Sequence, residues 1–274
     1  MNTNKLLEKF EEKWGRIAQV KKSDLIKSFD CFYPDFDDNL IPIINLSELS
    51  DEEVSLLRSI GWIIYNNRTI DIENKLISPF CMAVLSDQLP FPSNYKELLA
   101  DTLIDESFHI RLSIQGIEIV KKFRGINISL PESSLAKYFK NRIFQNPSSQ
   151  ILIQMAASIA SETMITDYLD LLSSSNIQPY LRQIVVAHKK DEAIHDVVFS
   201  ELSKEYLRQM DDDMKVRFAV EVKGFVDAFK QHDYNAWRQC IAQVNELKST
   251  KIIFSKRNLI NAETGITQII KDIA

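Results

Sequence analysis

The sequence predicts an all-α protein, a four-helix bundle with additional helices at its N- and C-terminal ends. Long segments with apolar residues at the 3.6-residue helical spacing alternate with short breaks rich in Pro, Ser and Asn. Alternating strand patterns joined by hairpin turns are nearly absent. The 274 residues contain 45% hydrophobic residues and no linker-like stretch. We therefore expect one domain over residues 1–274, with its bundle core at about 50–210 and covering helices at about 211–274.

The N-terminal part leads into the first bundle helix. An amphipathic helix near residues 4–20 is expected to precede an extended surface segment over 31–47, where prolines and aspartates cluster. Ser50 and Glu53 have capping-box spacing and should begin a helix that runs to Leu89. Pro79 lies inside this helix and should kink it.

Three further bundle helices follow from their own start and stop signals. The second should run from about Ser93 to Arg124 and end at Gly125. The third should begin at Asn146-Pro147 and end near residues 173–176. The fourth should run from Pro179 to about Met210, and the acidic residues 211–213 should begin the covering helices.

Composition excludes several classes of function. The balance of 33 basic and 38 acidic residues leaves a net charge of −5 without a basic run, so nucleic acid and membrane surfaces are not expected partners. No stretch of 18 apolar residues and no apolar N-terminal leader is visible, which favours a cytoplasmic protein. Cys31, Cys81 and Cys240 lie far apart and are expected to be reduced, packed thiols. Glycine-rich nucleotide motifs are absent.

Two Glu-x-x-His pairs use two of the four histidines: Glu106 with His109, and Glu192 with His195. Repeated Glu-x-x-His, with one more glutamate from each of two other helices, builds dinuclear iron or manganese sites in ferritin-like bundles. The helical periodicity places one glutamate on the apolar face of each predicted bundle helix. These four glutamates are Glu73, Glu106, Glu162 and Glu192.

Four buried carboxylates need neutralisation, and two divalent metal ions would balance their charge in full. Carboxylate and imidazole ligands suit iron or manganese better than a closed zinc site. His188 lies four residues before Glu192 on the same helix face and adds a third imidazole. His232 is interpreted instead as part of a surface turn.

In order and spacing, these residues resemble the p-aminobenzoate N-oxygenase family of di-iron arylamine oxygenases. The resemblance covers residues 60–200 and includes the stretch from Tyr65 to Glu73. Its most specific element is His188-x-x-x-Glu192-x-x-His195. The resemblance implies a ferritin-like bundle with seven metal ligands: Glu73, Glu106, His109, Glu162, His188, Glu192 and His195.

The resemblance also implies how the ligands divide between two irons. Glu73 and His109 would bind one iron, and Glu162, His188 and His195 the other. Glu106 and Glu192 would bridge the two irons.

The implied reaction is O₂ addition to the diferrous site, giving a peroxo-diferric species that oxidises an amine to a hydroxylamine, nitroso or nitro product. His188 would give a longer-lived, more nucleophilic peroxide. The amine is a small molecule, O₂ is the co-substrate, and electrons would come from a separate reductase. A homodimer is compatible with this interpretation.

The substrate pocket is less defined by the sequence. Tyr65 is expected either at the pocket edge or in packing, and Arg68 is expected to face solvent or another helix. No residue that would hold an arylamine's carboxylate is identified. Two other functions stay open: a di-metal oxidase or hydroxylase that acts on carbon, and a non-catalytic ferritin-like metal-binding protein.

Overall fold

The computed structural model describes residues 29–30, 32–89 and 91–259. Within these ranges the protein is helical, and a single antiparallel bridge, Ile43 with Phe254, replaces any β-sheet. The all-α prediction is confirmed. The N-terminal helix expected near residues 4–20, Cys31 and residues 260–274 lie outside the described residues.

The bundle consists of four long helical segments. Helix α1 covers Asp51–Ile72, a π-helical turn covers Glu73–Ile77, and α2 covers Ser78–Leu85. Helix α3 is Ser93–Arg124, α5 is Gln150–Ser174 and α6 is Pro179–Gln209. Helices α1 and α2 pack against α3, and α5 packs against α6.

Local signals fix the ends of these helices. Ser50 accepts a hydrogen bond from the Glu53 amide, and the Glu53 side chain accepts one from the Ser50 amide, as the predicted capping box requires. Gly125 ends α3 in the left-handed conformation at φ 66°, which glycine adopts without a steric penalty. A 3₁₀ turn at Pro147–Ser149 precedes α5 where a direct helix start was predicted.

The irregularity at Pro79 takes the form of the π-helical turn. Proline has no amide hydrogen, so the ordinary α-helical bond from residue 79 cannot form. Instead the Ser78 amide donates to the Glu73 carbonyl, five residues back. Such turns insert an extra residue in a helix and occur often at functional sites.

Three shorter helices cover the bundle. Helix α4, Ser134–Gln145, was not predicted and packs on α5 and on helix α7, Asp212–Phe229. Asp211 caps α7, as predicted from the acidic residues there. Helix α8, Tyr234–Gln243, packs on α1. None of the helices that the structure describes is apolar enough over enough of its length to cross a membrane.

In the segment predicted to lie at the surface over 31–47, the described residues 32–47 are partly exposed and partly buried. Phe36, Leu40, Ile41 and Ile43 are buried in the core. Phe36 packs so closely on α1 that a side-chain carbon added at Gly61 would lie 2.6 Å from it. Asp35 misled the sequence interpretation, because it is buried and serves as an internal hydrogen-bond partner, whereas Asp38 is exposed and pairs with Arg58.

Asp35 shows how such an acidic residue is accommodated. Its side chain is buried and accepts two hydrogen bonds of 2.9 Å from the Arg124 guanidinium at the end of α3. The Ser59 hydroxyl donates a third, at 2.7 Å. This fully paired carboxylate ties the segment to α1 and α3.

Candidate metal centre

The seven predicted ligand residues converge inside the bundle, and each is at most 3% exposed. The π-helical turn supplies one, α3 two, α5 one and α6 three. In that order they are Glu73; Glu106 and His109; Glu162; and His188, Glu192 and His195.

One half of the cluster is built around His188 and His109. His188 Nε2 lies 2.7 Å from Glu192 Oε1 and 3.2 Å from Glu73 Oε1. His109 Nδ1 lies 3.3 Å from the same Glu192 oxygen and 3.9 Å from Glu73 Oε1. These four residues each offer one ligand atom within 4.8 Å of the others, which is close enough for a shared metal ion.

The other half is built around His195. Its Nδ1 atom lies 3.0 Å from Glu106 Oε1, 3.7 Å from Glu162 Oε2 and 3.6 Å from Glu192 Oε2. Glu106, His109, Glu192 and His195 form the second group with converging ligand atoms. Glu162 belongs to neither group and meets this half through its contact with His195.

Glu106 and Glu192 lie between the two halves. Glu106 has Oε2 3.3 Å from His109 Nδ1 and Oε1 3.0 Å from His195 Nδ1. Glu192 likewise directs Oε1 to His109 and Oε2 to His195. Each carboxylate therefore spans both halves, in the orientation that a bridging ligand needs.

The position of His188 differs from the division that the resemblance implies. Its imidazole stacks 4.0 Å from that of His109, between ring centres, and contacts Glu73. It was expected with Glu162 and His195, on the other ion. The helical wheel shows which face of α6 carries His188, but not which residues lie opposite. In the structure, His188 lies opposite Glu73.

Eight oxygen and nitrogen atoms of the cluster make no hydrogen bond with any residue that the structure describes. They are both carboxylate oxygens of Glu73 and of Glu162, one oxygen each of Glu106 and Glu192, and both ring nitrogens of His195. A buried polar atom without a partner costs about 1–3 kcal/mol. Carboxylate and imidazole atoms that converge without bonding to one another fit metal ions as their missing partners.

Two aspartates support the histidines from outside the cluster, and the sequence analysis missed them. His109 Nε2 lies 3.5 Å from Asp191 Oδ2, and His195 Nε2 lies 3.6 Å from Asp105 Oδ2. Each aspartate directly precedes the glutamate of the opposite Glu-x-x-His pair, so the repeated motif is Asp-Glu-x-x-His. Carboxylates in this position orient a metal-binding imidazole and raise its basicity. The repeated aspartate was the signal available in the sequence.

The cluster holds protons when it holds no metal. Burial raises the pKa of Glu73 to about 8 and that of Glu162 well above its ordinary value. Burial opposes charge on His109, but Asp191 and Glu106 raise its pKa to about 9. At neutral pH metal ions would therefore have to displace protons from the cluster, because metals bind neutral imidazole and ionised carboxylate.

A small internal cavity lies near the Glu73 half. Tyr65 and Arg68 of α1, Tyr168 of α5 and His232 are among its lining residues, and it has a volume of about 20 Å³, room for about one water. Tyr65 is buried and meets the Tyr168 ring edge-on at 5.0 Å. Burial, then Tyr168 and the charge of Glu73, raises the pKa of Tyr65 well above its ordinary value, so its phenol stays protonated.

Arg68 and His232 depart from ordinary surface residues. Arg68 is buried and donates hydrogen bonds to the carbonyls of Phe229 and Gln231, at the end of α7, which agrees with the expectation that it could face another helix. Its Nε atom makes no hydrogen bond with a described residue.

His232 is only 4% exposed, so its interpretation as a surface residue was wrong. The turn before α8 folds inward, and burial lowers the His232 pKa to about 4.

Fold and site together define an all-α, ferritin-like helical bundle with a buried carboxylate and histidine cluster that can bind metal. Residues 46–266 match the family described as P-aminobenzoate N-oxygenase AurF, and the chain belongs to this family. A relative from Streptomyces thioluteus named 4-aminobenzoate N-oxygenase is 24% identical over 235 residues, which cover 81% of this chain and 70% of the relative. The protein is thus an N-oxygenase, an oxidoreductase.

Proposed function

We propose that this protein uses two iron ions and O₂ to oxidise the amine nitrogen of an arylamine. The observation that carries the proposal is the buried seven-residue cluster with its eight unpaired ligand atoms. The name of the Streptomyces relative supports an aminobenzoate-like substrate.

The distances favour a revised division of the ligands. Glu73, His109 and His188 would hold one ion, and Glu162 and His195 the other. Glu106 and Glu192 would bind both. When bound, the two ions supply the activation of O₂, and manganese is the alternative metal for the same ligands.

The first oxidation is RNH₂ + O₂ + 2e⁻ + 2H⁺ → RNHOH + H₂O, and further oxidation gives nitroso or nitro products. The electrons must come from a separate donor, because the sequence contains no recognisable nucleotide-binding motif. The surrounding apolar side chains, with Tyr65 and Tyr168 on one side, keep bulk water from the reacting amine.

The internal cavity beside Tyr65 is the proposed substrate position. Arg68 provides a buried cation there, and its unpaired Nε atom could donate to a substrate carboxylate. The cavity is too small for an aromatic ring as it stands, so binding requires its side chains to move apart.

The test is anaerobic loading of the protein with Fe(II), followed by chemical reduction, ¹⁸O₂ and 4-aminobenzoate. Mass spectrometry should detect ¹⁸O on nitrogen in a hydroxylamine, nitroso or nitro product. Glu106→Gln should abolish the product, because it removes a ligand shared by both ions. Glu118→Gln is the matched control, since this carboxylate lies in the same helix with its side chain 67% exposed. Label on carbon alone would support the hydroxylase alternative, and no turnover across an amine panel would contradict the proposal.

A further inference from the structure

A second, larger pocket opens at the surface, outside the metal cluster. It has a volume of about 420 Å³, within the range of small-molecule sites. The start of α8 contributes Tyr234 and Arg238, and Gln231 and the segment 254–258 form the rest of its lining.

Three cationic residues line this pocket: Arg238, Lys256 and Arg257. None of the described residues in its lining is acidic, although the whole chain has a net charge of −5. A concave site with charges of one sign raises the local concentration of oppositely charged ligands. The pocket is therefore suited to an anion.

Aromatic rings and a buried hydroxyl accompany these charges. The Arg238 guanidinium lies 5.2 Å from the centre of the Phe254 ring, and Tyr234 meets the same ring edge-on at 6.0 Å. Ser255 Oγ is buried and makes no hydrogen bond with a described residue. An aromatic ligand with a carboxylate would match both the rings and the unpaired donor.

The surface pocket and the internal cavity are lined by neighbouring residues of the chain. Gln231 lines the pocket, and the next residue, His232, lines the cavity. Likewise Asn258 lines the pocket and Leu259 lines the cavity. Arg68, in the cavity, donates to the Gln231 carbonyl at 2.8 Å. The His232 Nε2 atom is buried without a hydrogen bond to a described residue. The pocket and the cavity are thus lined by consecutive residues at two places in the chain.

We infer that the surface pocket captures an aromatic carboxylate, the arylamine substrate, before it enters the cavity beside Tyr65. This inference rests on the proposed function, since it assigns that substrate's entry. The order of sites, first exposed cations and then buried Arg68, would guide the carboxylate inward and bring the ring toward the Glu73 half of the cluster.

The test is the double variant Arg238→Gln/Lys256→Gln, which leaves Arg257 and its hydrogen bond to the Ile41 carbonyl in place. Its kcat/KM for 4-aminobenzoate should fall roughly tenfold at low salt, at the lower end of electrostatic steering effects, with kcat unchanged. The neutral analogue 4-aminobenzamide should react as with wild type. Lys215→Gln/Lys223→Gln, on α7, is the charge-matched control and should change neither rate. Equal kcat/KM for 4-aminobenzoate in the pocket variant and wild type would overturn the inference.

Calorimetric binding of benzoate separates this inference from the proposed function. Wild type should bind benzoate, and the pocket variant should bind it roughly tenfold more weakly. Should wild type oxidise no amine yet show this difference, the pocket assignment stands and the proposed function fails. Absent or unchanged benzoate binding overturns the pocket assignment. Inorganic phosphate at equal ionic strength should compete poorly; equal competition would overturn the aromatic part of the assignment.

Discussion

The two halves of the cluster are built from the same motif but have different surroundings. Each half has an Asp-Glu-x-x-His histidine and an additional glutamate, yet only the half with Glu73 has the further imidazole of His188. Burial raises the pKa of Glu73 to about 8 although the contact with His188 lowers it, and burial raises the pKa of Glu162 well above its ordinary value although the charge of His195 lowers it. The repeated motif would thus provide for two ions, and the additional histidine distinguishes the Glu73 half.

Replacing single histidines should give the largest difference between the two halves, measured as the iron content of each variant. In the proposed division, His195→Ala removes the only imidazole assigned to the ion at Glu162, so we expect about one iron per chain after anaerobic loading, measured by elemental analysis. His188→Ala should keep both ions, because His109 remains, but should change the decay of the absorbance transient that follows mixing with O₂. Circular dichroism would check that both variants are folded. Equal iron loss in the two variants would contradict the proposed division.

The two supporting aspartates should give a smaller, half-specific effect. Asp191→Asn should weaken the ion bound by His109, and Asp105→Asn the ion bound by His195, each by about 10–100-fold in affinity. Competition with a calibrated chelator would measure each loss. Asp170→Asn is the control, because this residue's side chain is 53% exposed and pairs with Lys189. Unchanged affinities in both aspartate variants would remove their proposed role in positioning the histidines.

The pH dependence of stability should give the smallest effect. Glu73 and His109 have pKa values of about 8 and about 9 in the metal-free fold, above their ordinary 4.5 and 6.5. The folded state therefore binds more protons than the unfolded chain between about pH 5 and 9, and metal-free stability should fall as pH rises through this window. With metal bound, the ligands are already deprotonated and this fall should diminish. Thermal unfolding of both forms from pH 6 to 9 would test this, and parallel curves would contradict it.

Helical periodicity was sufficient to predict which glutamates meet in the buried cluster, because it places one carboxylate on the apolar face of each bundle helix. It could not assign His188 to one of the two halves, since a helical wheel shows a face of the helix and not the neighbouring helix. Short helix α4 was missed, and the segment over 31–47 was misjudged because Asp35 within it is buried and internally paired. His232 was misjudged for a related reason: whether a turn lies at the surface depends on what packs over it. Such features depend on long-range contacts.

Because of the π-helical turn, the number of residues between Glu73 and Pro79 matters for the site as much as their identity. Removing one residue between Glu73 and Pro79 would allow an ordinary helix to form but would rotate everything before it by about 100° relative to everything after. Glu73 and Tyr65 on one side, and Phe80 and Val84 on the other, are all buried. The two sets could then not face the interior together. The number of residues in this turn therefore determines which side chains reach the site. This holds even for residues of the turn that do not contact the site themselves.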